Sequence, residues 1–173
     1  MDSNLSDEEI KTLASLLAKL EPGVLPPPVF YQFARLSVTP IIEIVPLHYQ
    51  LGEIDILLIP RDQNDPIWPG KLHVPRTVIR ANDTATSPFE RIMTGELLGT
   101  PASKPIFSKS IIHHSGRGME ATQVYIVEIT GQANVGNFYN AKKLPGNLLE
   151  SQMDFIPAAV ETYLATRKPF YNY

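Results

Sequence analysis

The sequence predicts an α/β fold, on three observations. Two β-branched apolar runs, residues 41–45 and 54–59, flank a turn region at Gln50-Leu51-Gly52-Glu53, which is the pattern of paired, buried strands. Apolar residues recur at helical spacing near both ends, at Ile10, Leu13, Leu16, Leu17 and Leu20 and again at Phe155, Ile156, Ala159, Val160, Tyr163 and Leu164. Between these, Ser87-Pro88-Phe89-Glu90 supplies a cap residue, a proline at the first helical position and an early acid, so a helix starts there.

The elements follow in order. Ser6 and Glu9 form a capping box for an amphipathic helix over 7–20, which Glu21-Pro22-Gly23 stops. Pro26-Pro27-Pro28 holds the chain extended, and residues 30–38 read as a strand or a turn-rich connection. Residues 72–79 carry short strand segments around Pro75, 82–84 form a loop, and a helix runs over 88–98. Strands over 106–114 and 122–130 are joined at Ser115-Gly116-Arg117-Gly118, whose glycines permit the positive φ of a turn. The last helix covers 154–166. Residues 1–28 are an added helix and proline-rich connection, and 29–173 form one domain.

At 173 residues the chain supports one domain with a sizeable core. Apolar residues at 43%, a net charge of -3 and a pI near 5.8 fit a soluble globular protein. They give no electrostatic case for binding a nucleic-acid polymer or an anionic membrane. The lack of cysteine excludes disulfides, thiolate catalysis and cysteine-ligated zinc. The acidic start, Met1-Asp2-Ser3-Asn4-Leu5, lacks the regions of a secretory signal, and no apolar run reaches membrane-spanning length. A cytoplasmic location is therefore expected. Nothing matches a Ser/His/Asp arrangement, a Walker loop or a dinucleotide fingerprint.

The stretch from Trp68 to Thr100 resembles a Nudix box. The lead is Trp68-Pro69-Gly70-Lys71-Leu72-His73-Val74-Pro75. With Arg91 on the family's arginine, Pro75-Arg76-Thr77 falls on its Pro-Gly-Gly, Asp83 on its first glutamate, Met93 on its bulky apolar position and Glu96 on its last glutamate, without a gap. Ile92 and Gly95 stand where the family has two further helix glutamates, Thr77 replaces the opening glycine, and after Glu96 one extra residue is needed. Residues 137–145 also look like the family's late connection. The resemblance covers roughly residues 38–168. It implies a Nudix-type α/β/α sandwich with a mixed β-sheet, here with an added N-terminal helix and a degraded catalytic box.

The resemblance further implies hydrolysis of a nucleoside diphosphate linked to another moiety, with Mg²⁺ or Mn²⁺ held by box glutamates. Such ions want hard oxygen ligands, and carboxylates four residues apart on a helix share a face. Of the pair at 92 and 96 only Glu96 has a carboxylate, which alone is a thin metal site. Glu90 is a poor substitute, since about 100° per residue sets it roughly 120° around the helix from Glu96. Catalytic roles, if present, fall to Glu96 and Arg91. Arg91 implies scaffolding by pairing with Asp83, the alternative being a solvated arginine. Arg76 offers a fixed guanidinium for an anionic ligand without metal, the alternative being a solvated loop arginine. Trp68 flanks a ligand cleft or packs under a loop. Gly95 marks either a fraying helix end or a face that a ligand or another segment approaches. Adjacent His113 and His114 face opposite sides of a strand and cannot chelate together.

Three readings follow. The leading one is a non-catalytic module for a small, nucleotide-like, phosphate-bearing ligand or a protein partner. The second is a metal-dependent pyrophosphohydrolase whose missing ligands come from outside the box, Glu120 or Glu128 being candidates. The third is a homodimer built on the N-terminal helix and the aromatic tail Phe170-Tyr171-Asn172-Tyr173.

Overall fold

A computed structural model describes residues 4–167; the aromatic tail lies outside these. Helix α1, Asp7–Leu17, begins on the expected capping box, with the Ser6 hydroxyl accepting from the Glu9 N–H and Glu9 bonding back to the Ser6 N–H at 2.7 Å. It ends earlier than the apolar spacing suggests, in a tighter turn through Leu20. Helix α2, Pro27–Leu36, is a correction to the strand or turn expected there. Pro26 is the extended residue before the helix, and Pro27 and Pro28 occupy its first turn. There their fixed φ is already helical and their missing N–H groups would have had no helical partner.

Strands β1 (Thr39–Gln50) and β2 (Glu53–Pro60) form the expected antiparallel hairpin, turning at Leu51-Gly52. The short strands β3 (Leu72–His73) and β4 (Arg76–Val78) flank Pro75 and pair with β2 and β1. Helix α3, Ser87–Arg91, passes into a π-helical turn, Ile92–Glu96. Strands β5 (Ile106–Ser115) and β6 (Gly118–Glu128) form the second hairpin, with β6 starting earlier than expected because Gly118 already pairs with Ser115. Strand β7 (Asn137–Asn140) pairs with β2, and α4 (Glu150–Met153) precedes α5 (Ile156–Arg167).

The sheet runs β3-β2-β1-β6-β5, with β4 on β1 and β7 on β2; β1 and β6 are parallel and the other pairs antiparallel. Alternate residues of the central strands serve opposite faces. Val45, Leu47, Ile56, Val124 and Ile126 pack with Phe155, Ile156, Ala159 and Tyr163 of the C-terminal helix region. Ile42, Ile44, Leu57, Ile59 and Val127 pack with Ile92 and Leu97 of the box segment. Helices therefore cover both faces of a mixed sheet, which is the α/β/α sandwich. No helix among the described residues is long and apolar enough to cross a membrane.

Candidate functional site

Pairing of β4 with β1 sets Arg76 directly opposite Glu43. Both side chains are interior: Arg76 is 5% exposed, Glu43 0% and Glu120 1%. The Arg76 Nη2 donates to the Glu120 carboxylate, and its Nε lies 3.3 Å from Glu43 Oε1. Its backbone N–H donates to Glu96 Oε2 at 3.0 Å. One residue thus engages carboxylates from β1, β6 and the π-helical turn. Gln152 of α4 completes the support, donating to Glu43 at 3.0 Å and accepting from the Val74 N–H at 2.7 Å. On the far side, Arg117 Nη2 is 3.3 Å from Glu120 Oε1 and His113 Nε2 is 3.2 Å from Thr122 Oγ1.

The protonation balance follows from burial and these pairs. Burial raises the Glu43 carboxyl above its ordinary value against the pull of Arg76, and burial also raises Glu96. Burial works on Glu120 too, but the charge and hydrogen bond of Arg76 hold that carboxyl below the usual range. Burial would lower Arg76, yet Glu43 and Glu120 raise it, so it stays a cation.

The box loop is pinned separately. Arg91 forms an ion pair with Asp83, with Nη2 2.8 Å from Oδ2, and donates to the Val78 carbonyl at 2.8 Å. Asp83 also accepts the Arg80 N–H at 2.7 Å, and the Arg91 hydrogen bond brings its carboxyl down to about 2. The π-helical turn closes with the Leu97 N–H donating to the Ile92 carbonyl at 2.8 Å, and Leu98 and Gly99 then leave it with positive φ. A Cβ on Gly95 would meet nothing within 4 Å.

Against this cluster lies a cavity of about 510 Å³, within the range usual for small-molecule sites. Arg61, Arg76, Arg80, Arg117 and Glu96 supply its polar wall, while Pro22–Leu25, Phe30, Phe33 and Val38 supply the apolar one. Glu43 and Glu120 stand behind Arg76 and off the cavity wall, so the wall itself is mainly cationic. Trp68 lies outside the lining. Its ring sits 5.1 Å from the Arg117 guanidinium and 5.3 Å from that of Arg61, and Phe30 lies 5.7 Å from Arg117. These stacks, worth roughly 0.5–2 kcal/mol each in general, hold both arginines toward the cavity. Arg61 also pairs with Asp65 at 2.5 Å, whereas the Arg80 guanidinium makes no ion pair among the described residues.

Arg76 and Glu96 thus line one cleft, whereas the Asp83–Arg91 pair stands off its lining and bonds to the Val78 carbonyl, and Trp68 reaches the cleft only through its stacked arginines. His113 is partly buried and His114 exposed, on opposite faces of β5. Glu128 is remote in its bonding, tied to Arg167 at 2.6 Å. Sequence reasoning missed Glu43, Arg61, Arg80, Arg117 and Gln152 as site residues. Glu43 left a signal, as a lone acid inside an otherwise apolar strand, and Arg61 and Arg80 each close a strand segment. Arg117 passed as a turn residue, and Gln152 left no signal.

A mixed sheet between helical layers, with a loop-helix segment that carries Glu96 to the cleft and is pinned by Arg91, defines a Nudix-fold protein. Solved structures agree. A MutT/Nudix family protein from Listeria innocua superposes with a TM-score of 0.60 at 16% identity, over 74% of this chain and 95% of that one. The Ap4A hydrolase of C. elegans gives 0.56 at 10% identity, over 74% and 99%. The Nudix domain of Shewanella oneidensis NrtR, complexed with ADP ribose, gives 0.55 at 16% identity, over 87% and 97%. No family model matches the sequence, and no curated protein does. The likeness is one of fold.

The divalent metal implied by that fold does not fit these residues. Among the described residues no group of three or more His, Asp or Glu is arranged to hold a metal ion. The Glu43 and Glu120 carboxylates instead face a buried guanidinium, whose positive charge repels a second cation at close range.

Proposed function

We propose that this protein is a binding module, taking a small phosphate-bearing ligand into the arginine-lined cavity without a divalent metal and without turnover. The observation that carries this reading is Arg76 itself. Its guanidinium supplies the positive charge that Glu43 and Glu120 need, so those carboxylates are not free to complete a metal shell. Arginine also suits phosphate recognition, because its planar fork matches a pair of phosphate oxygens. The complex of the NrtR Nudix domain with ADP ribose supports a ligand of this class on such a scaffold.

The gathering of Glu43, Glu96 and Glu120 about one residue favours a second reading, a pyrophosphohydrolase that draws acids from outside the box. The test is a panel of nucleoside triphosphates, dinucleotides and nucleotide sugars, each with Mg²⁺, Mn²⁺ or EDTA. Calorimetry is expected to give affinities that EDTA leaves unchanged, and product release no greater than that of Glu96→Gln. Turnover lost in Glu96→Gln establishes the hydrolase instead. Failure to bind any member of the panel leaves the exposed apolar face of α1, with Ile10, Leu13 and Leu16, as the ground for a protein partner or a homodimer.

A further inference from the structure

Strand β5 ends the sheet, and its outer edge has no partner strand among the described residues. The register shows which backbone groups this leaves free. Ser115 pairs with Gly118 across a two-residue turn, so Ser115, His113 and Ile111 spend their N–H and C=O groups on β6. Those of the alternate residues, Ser110, Ile112 and His114, point away from β6 along the open edge. Proteins usually blunt such an edge. The bulge between Phe107 and Lys109, and the lysine itself, guard the first part of β5, but from Ser110 to Ser115 the strand is regular and Ile112 stands 72% exposed.

Beside this stretch runs a groove of about 490 Å³, lined by residues 111–116 on one side and by Leu149, Glu150, Ser151 and Asp154 on the other, with Trp68. It shares no lining residue with the arginine-lined cavity. The hairpin tip is fitted closely to the Trp68 loop, since a Cβ on Gly116 would lie 2.5 Å from the Ile67 Cγ2 atom. Glu150 and Asp154 are exposed, and their side chains make no hydrogen bond or ion pair among the described residues. They lie one helical turn apart, about 6 Å by rise, which matches the roughly 6.6 Å between alternate residues of a strand.

We infer that this groove binds an extended peptide of a partner protein, which adds to β5 as a strand and carries lysine or arginine to Glu150 and Asp154. A free edge supplies the main-chain hydrogen bonds, and the alternate side chains supply the choice of sequence. Ile111 packs into the core on the side of the C-terminal helices, so Ile112 is on the opposite face of the strand. An added strand therefore sets one row of side chains toward the acids of α4 and the other beside exposed Ile112, which selects alternating basic and apolar residues. Charge decides against other occupants. A second copy offers a strand with one lysine, Lys109, and brings the same two acids with it, while a nucleic acid sets phosphates against them.

The experiment follows fluorescence anisotropy of labelled octapeptides of alternating lysine and valine, of alternating glutamate and valine, and of the lysine–valine sequence with alternate amides N-methylated. The full chain is compared with Ile112→Pro and with Glu150→Gln/Asp154→Asn. Proline at 112 removes an outward N–H that β6 does not use, so the fold is expected to survive, as a thermal melt checks. The lysine–valine peptide is expected to bind, and the glutamate–valine and N-methylated peptides not to. Ile112→Pro is expected to lose binding, and the double variant to weaken it by roughly fivefold, the scale of two exposed ion pairs. No binding of the lysine–valine peptide overturns the inference. Equal binding of the N-methylated peptide also overturns it, by showing attraction of charge without an added strand, and this comparison decides alone if Ile112→Pro does not fold. A concentration-dependent dimer that Ile112→Pro abolishes makes a second copy the occupant and overturns the peptide.

Discussion

Replacing Arg76 by methionine removes a buried charge while keeping a side chain of similar reach. Glu43 and Glu120, 0% and 1% exposed, then face each other's charge without the guanidinium that both contact. Arg117 still stands 3.3 Å from Glu120, but Glu43 keeps the neutral amide of Gln152 as its hydrogen-bond partner and no ion pair among the described residues. Breaking a buried ion pair from one side costs about 3–5 kcal/mol, a large share of the roughly 5–15 kcal/mol by which domains are stable. The loss depends on pH, with a definite sign. In the variant the folded-state pKa of the stranded acids rises above its unfolded value, so their penalty is absent at low pH and grows as pH rises through the folded pKa. Urea unfolding followed by Trp68 fluorescence is expected to show the variant weakest near pH 8 and closer to the parent near pH 5. Adding Glu43→Gln and Glu120→Gln to Arg76→Met is expected to restore most of the loss. A single Arg76→Met variant within about 1 kcal/mol of the parent at pH 8, where the penalty is fullest, would falsify the claim that this guanidinium neutralises the cluster.

Four further outcomes are expected. Gly95→Ala raises stability by about 0.5–1 kcal/mol in denaturant melts, since the site is helical and a methyl there meets nothing; a fall in stability refutes this. Gly118→Ala lowers it by more than about 1–3 kcal/mol, since its φ is +137° and the Ala34 carbonyl blocks the methyl. His73 is driven down to about 4, first by burial and then by the charge of Arg61, so it folds neutral. The stability this permits is whole above pH 6.5 and falls by about 3 kcal/mol as pH drops to about 4, a loss that His73→Gln should not share. Burial opposes ionisation of Asp65, but the Trp68 and Ile67 N–H groups and Arg61 hold its carboxyl at about 2. Its contribution stands above pH 3.8 and is lost as pH falls toward 2, so Asp65→Asn should weaken the fold at neutral pH and converge with the parent in acid.

What was legible in the chain was local. Ser87-Pro88 announces its helix, and the 41–45 and 54–59 runs announce their hairpin, because cap, proline and alternation act over a few residues. Asp83 and Arg91 could be paired from one short segment, and they do pair. The proline run misled, since Pro26-Pro27-Pro28 suits an extended chain as well as a helix start, and what settles the matter is α2 packing on the backbone at Gly118, far along the chain. Arg76 stood out as a departure from the box, but its burial did not. That depends on the register of β4 against β1 and of β1 against β6, which brings together residues 43, 76 and 120. Such register is set by the whole sheet and leaves no mark beside any one of them.

The Arg76 cluster also constrains how this sequence can change. Each of Glu43, Arg76 and Glu120 is indispensable only because the others are present, so any one substitution leaves an unmatched charge in the interior. A lineage of variants that exchanged the arginine for the small residue usual at this place in the box would cross a valley of poorly folded intermediates unless a compensating change came with it. The internal ion pairs act as a gate: single steps lead away from a stable fold, and exchange of the arginine opens only through simultaneous replacement of its partners.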